Sequence, residues 1–162
     1  MEATILFAVS VLTGLIVWNK ISKKYLWLPY KDRALKEAAE PILFLHSFRF
    51  AGLSFLIPGV VHAGLDPAWA IPAAFGDFAA AILAIIALSL INNHTLFRFF
   101  LWVFNILGLV DLLIAFVDGP RYNILPFLGA GYYIIVLYVP VLLLTHLMIF
   151  KLLLRNTKLQ SY

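Results

Sequence analysis

Residues 79–90 read AAAILAIIALSL and residues 134–144 read IIVLYVPVLLL. Neither run alternates apolar and polar positions, so neither resembles a strand of a closed membrane barrel, where one face meets lipid and the other meets the lumen. Both sit inside longer apolar stretches, and about 17–25 such residues cross some 30 Å of hydrocarbon as a helix. Working outward from these two, five stretches qualify: 3–19, 41–61, 68–91, 96–117 and 124–153. The expected fold is all-α, a polytopic membrane helical bundle of about five transmembrane helices forming one domain over 1–162.

Composition agrees. Of 162 residues, 64% are hydrophobic and 12% charged, whereas a soluble domain carries about 45–50% and 25%. There are too few polar side chains to cover a water-facing surface. No linker, low-complexity tract or internal repeat divides the chain. The absence of cysteine excludes disulfides, thiolate metal sites and covalent c-type haem attachment. Met1-Glu2 and the apolar residues to Trp18 lack a basic leader and a cleavage site, so the first stretch is expected to stay as a span.

Charge predicts orientation. Segment 20–40 carries Lys20, Lys23, Lys24, Lys31, Arg33 and Lys36 among Tyr25, Trp27 and Tyr30, a mixture suited to a headgroup layer. Its second half is expected to be a short interfacial helix capped by Asp32, with Pro41 opening the next span. Arg98 follows the 92–95 connection, and Lys151, Arg155 and Lys158 lie near the C-terminus. Alternate connections thus hold ten of the twelve basic residues, against Arg121 on the other side and Arg49 inside a span. The positive-inside rule then predicts an outside N-terminus and a cytoplasmic C-terminus, in a cell inner or plasma membrane, with anionic headgroups as partners.

Ionisable residues inside spans cost at least about 2.5–3.5 kcal/mol on insertion scales, so each implies a partner, a cavity or a task. They are His46, Arg49, Asp77, Asp111 and His146, accompanied by Asn105, Tyr132 and Tyr138. Counting about 1.5 Å per residue from the cytoplasmic ends pairs them by depth. His46 and His146 fall roughly 7 Å in, Arg49 and Asn105 roughly 12 Å, Asp77 and Asp111 roughly 20 Å. Spacing puts His46, Arg49 and Gly52 or Leu53 on one face. Asn105 shares a face with Gly108, and Tyr132, Val139 and His146 follow a seven-residue repeat. Ala73, Gly76, Asp77, Ala80, Ala84 and Ala87 form a stripe that admits close helix approach. Pro140 removes a mid-span hydrogen bond and predicts a kink.

These residues predict a polar interior within four spans, the first span packing outside. Arg49 is expected to pair with Asp77 or Asp111, or to anchor an anion. It can neutralise only one acid; the other is expected to carry a proton or face water, as proton coupling requires. The leading reading is therefore ligand binding or proton-coupled translocation through Arg49, Asp77, Asn105, Asp111, Tyr132 and Tyr138. Two alternatives stand beside it: His46 and His146 as bis-imidazole ligands of haem b, and an accessory subunit of a membrane complex or a homo-oligomer. His62 and Asp66 lack a third metal ligand, and His94 reads as a loop residue. No catalytic or nucleotide-binding motif occurs, so an enzyme is not expected, nor is nucleic acid a partner.

Overall fold

A computed structural model describes residues 2–159, with side chains to Arg155; Lys158 and the last three residues carry no further account. The chain is all-helical, with no β-strand among the described residues. Its α-helices are α1 (Glu2–Ser22), α2 (Leu35–Ser47), α3 (Pro67–Ser89), α4 (His94–Asp118), the single turn α5 (Gly131–Tyr133) and α6 (Val139–Leu159). Four helical stretches are long and apolar enough to cross a membrane: Glu2–Trp27, Pro67–Ser89, His94–Asp118 and Gly131–Arg155.

Three departures from uniform α-helix shape the molecule. The expected helix at 41–61 begins earlier, at Leu35, and carries Pro41 inside it. Asp32 does not cap it; its carboxylate meets Lys31 and Arg155 instead. The α-helix stops at Ser47 and continues as a 3₁₀ helix, Phe48–Leu56. With three residues per turn, positions three apart eclipse, and the buried residues are Arg49, Gly52 and Phe55. The inward stripe therefore follows the 3₁₀ period, which brings in Phe55 rather than Leu53.

The other departures are π turns. Residues Lys23–Trp27 extend α1 through a wide turn, with Leu28 N–H donating to the Lys23 carbonyl at 2.9 Å. The basic residues Lys20, Lys23 and Lys24 thus ride on the end of a continuous helix. The second π turn, Ile134–Tyr138, ends two residues before Pro140. Proline has no N–H and its ring collides with the carbonyl four residues back; here that carbonyl, on Val136, lies against Gly14 of α1. A wide turn relieves the collision and re-aims everything before it.

The small-residue stripe of α3 is used within the chain. Ala73, Asp77, Ala80, Ala84 and Ala87 are buried, and α3 packs against α2, the 3₁₀ helix and α4. At one end Leu43, Phe97, Leu101, Ile149 and Leu153 close a core. The other end is sealed by two connections that hydrogen-bond: His62 N–H donates to the Phe127 carbonyl at 3.0 Å and Ala130 N–H to the Val60 carbonyl at 2.8 Å. Gly129, at φ +51, lies against the Val60 carbonyl where a Cβ has no room. Large apolar side chains, among them Leu6, Ile16, Phe48, Phe99, Val117 and Leu147, point outward around the bundle.

Candidate functional site

Arg49 has no exposed surface. A guanidinium has five N–H donors, and four hydrogen bonds with one further ion-pair contact engage them. Nε donates to Asp77 Oδ1 at 2.8 Å, and Nη2 serves Asp77 Oδ1 and Asp111 Oδ2, both at 2.7 Å. Nη1 donates to the Gly108 carbonyl at 3.1 Å and to His146 Nε2 at 3.2 Å. The arginine thus pairs with both acids, not one, and keeps no donor for an external anion.

Accepting from Arg49 leaves His146 Nε2 with its lone pair, so the ring proton sits on Nδ1 and is donated to Asn105 Oδ1 at 2.8 Å. Asn105 accordingly partners His146 rather than Arg49, which shared its depth. Thr145 donates its hydroxyl to the Val141 carbonyl at 2.7 Å and accepts from His46 Nε2 at 2.8 Å. Within this cluster, His46 Nδ1 and Asn105 Nδ2 are buried without a partner among the described residues. The Tyr138 hydroxyl donates to the Leu45 carbonyl at 2.5 Å, bracing the point where α2 becomes 3₁₀.

Three glycines make the polar cluster sterically feasible. A Cβ at Gly52 would overlap Asp77, one at Gly76 would overlap the Asp111 carboxyl, and one at Gly108 would meet Arg49 Nη1 and His146, each at 2.8 Å. Each charged group is seated against a bare backbone on a neighbouring helix. These sockets, together with Thr145 and Phe104, are the site residues that polarity alone does not single out.

Tyr132 lies elsewhere. Its hydroxyl donates to Ser10 Oγ at 2.8 Å and its ring meets Phe7 edge-on, so it ties the last helical stretch to α1. The π turn between Tyr132 and His146 breaks their seven-residue register. The two histidines expected as haem b ligands lie against one another. The His46 and His146 rings touch at 4.4 Å between centroids, inclined at 63°, and Phe104 packs on both. Three of the four ring nitrogens are committed to Thr145, Arg49 and Asn105, and no gap separates the rings for a porphyrin. Asp66 caps α3 by accepting from Ala68 N–H at 2.8 Å, while His62 Nδ1 accepts from Gly64 N–H. No group of three metal-ligating side chains occurs among the described residues.

Beside the cluster lies a cavity of about 280 Å³. Asp77 and Asp111 border it, and Phe7, Phe55, Trp69 and Phe116 supply its aromatic walls. Trp69 is fixed by an Nε1–H bond to the Ala115 carbonyl at 2.9 Å. Thr4 and Phe7 come from α1, so the first helix is part of the wall and not merely packed outside.

No curated protein and no solved structure matches the chain. A family match runs from residue 6 to residue 154 and so takes in every member of the polar cluster and, apart from Thr4, every wall of the cavity: the chain belongs to the family described as a domain of unknown function (DUF8737).

Proposed function

We propose that this is an integral membrane protein that crosses the bilayer five times, N-terminus outside and C-terminus cytoplasmic, and binds a small ligand in the pocket beside Arg49. The four long apolar stretches and the outward-facing apolar side chains support insertion. The fifth crossing is α2 with its 3₁₀ extension. Thirteen α residues and nine 3₁₀ residues, at about 1.5 and 2.0 Å each, reach roughly 37 Å. The cytoplasmic cations support contact with anionic headgroups, Lys151 lying over the Trp27 ring and Arg33 beside Tyr30.

The observation that carries the binding reading is an apolar pocket bordered by two acidic residues, both held by one buried arginine. Ligand sites are concave, mostly apolar and supplied with a few convergent polar groups. Protein extracted gently and examined by native mass spectrometry should retain a small molecule that is lost in Ala115→Phe, which fills the cavity. Identical bound species in both proteins would sink the reading.

Proton-coupled translocation is favoured as a second reading by one feature. The polar chain does not stop at Arg49 but continues through His146 to Asn105, with His46 and Thr145 alongside. Reconstituted vesicles should then show substrate-driven proton movement that Asp111→Asn abolishes; movement unchanged by that substitution would exclude it.

A further inference from the structure

Resting on the pocket reading, we propose that the ligand is a small organic cation, a primary ammonium on an apolar body. The charge arrangement is the first support. Two carboxyl groups border the cavity, and no lysine or arginine lines it. The nearby guanidinium, Arg49, lies behind them with all five donors engaged.

Hydrogen bonding supplies the second. Asp77 is 8% exposed, and only its Oδ1 accepts from Arg49; Asp111 engages only Oδ2. Asp77 Oδ2 and Asp111 Oδ1, which lie against Gly52 and Gly76, have no hydrogen-bond donor among the described residues. A carboxylate oxygen without a protein donor can accept N–H groups from what occupies the cavity. An ammonium brings three, together with the charge that two carboxylates and one guanidinium lack.

The walls fit the rest of the molecule. Phe7, Phe55, Trp69 and Phe116 offer apolar surface and ring faces that attract a cation. A volume near the lower end of ordinary ligand pockets, about 300–1,000 Å³, sets the size at a short arylalkylamine.

Titration calorimetry on the full chain in lipid nanodiscs tests this with three probes of one shape: 4-phenylbutylamine, 4-phenylbutanol and 4-phenylbutyrate. The amine should bind at least tenfold more tightly than either of the others. Asp111→Asn should abolish that preference while leaving alcohol binding in place, and Asp111→Glu should keep it. Retained alcohol binding shows that the variant is folded. Alcohol binding as tight as amine binding, or tighter carboxylate binding, overturns the cation and leaves the pocket reading standing. If none of the three binds, both fall.

Discussion

Arg49 donates every N–H it has, which makes it a joint between four helical segments rather than one half of an ion pair. A buried pair is seldom worth much against a hydrophobic replacement, but removing one partner alone costs about 3–5 kcal/mol. Arg49→Leu should therefore lower unfolding stability in detergent by about that much. Adding Asp77→Asn and Asp111→Asn to the same protein should recover a substantial part, measured by thermal or denaturant unfolding. Additive losses would show that the acids do not depend on Arg49. Gly76 gives a sharper probe because its Cβ would enter the space of the Asp111 carboxyl. Gly76→Ala should cost about 1–3 kcal/mol, the usual range for overpacking, and stability equal to the parent protein would mean that Asp111 does not use this socket.

At the scale of elements, apolar length was enough to find the long helices, and depth counting set Asp77 level with Asp111, though it placed Arg49 beside Asn105 instead. Both rest on features that survive small changes in helix geometry. What eluded the sequence depends on residues per turn. The 3₁₀ period selects Phe55 over Leu53, and the π turn before Pro140 carries Tyr132 out of the His146 face and onto Ser10. A proline announces a disturbed helix without saying whether a kink or a wide turn absorbs it. The π turn also seats α1: at Gly14 a Cβ would come within 2.5 Å of the Val136 carbonyl, and backbone cannot swing aside as a side chain does. Gly14→Leu should thus detach α1. Cysteines placed at Ser10 and Tyr132 in this cysteine-free chain should be joined by a short bis-maleimide in the parent background and poorly joined with Gly14→Leu. Equal cross-linking in both would remove Gly14 from the interface.

For the whole molecule, the proposed orientation rests on where the cations gather, and the lack of native cysteine makes it directly measurable. Single cysteines replacing Gly64 or Arg121 should react with an impermeant maleimide from outside intact cells, whereas one replacing Asn92 should react only after permeabilisation. Reaction of Gly64→Cys and Asn92→Cys from the same side would refute an odd number of crossings between them.

The 3₁₀ segment that carries Arg49 has a consequence for how the protein is made. On the five-crossing proposal, residues 41–61 taken alone bring an unpaired guanidinium into hydrocarbon, and an arginine at a span centre opposes insertion by about 2.5–3.5 kcal/mol. Its acceptors, Asp77, Gly108, Asp111 and His146, are synthesised 28–97 residues later. This crossing is therefore expected to wait beside the insertion machinery, or to enter together with α3 and α4. The order of biogenesis would then be written into the same side chain that holds the finished bundle together.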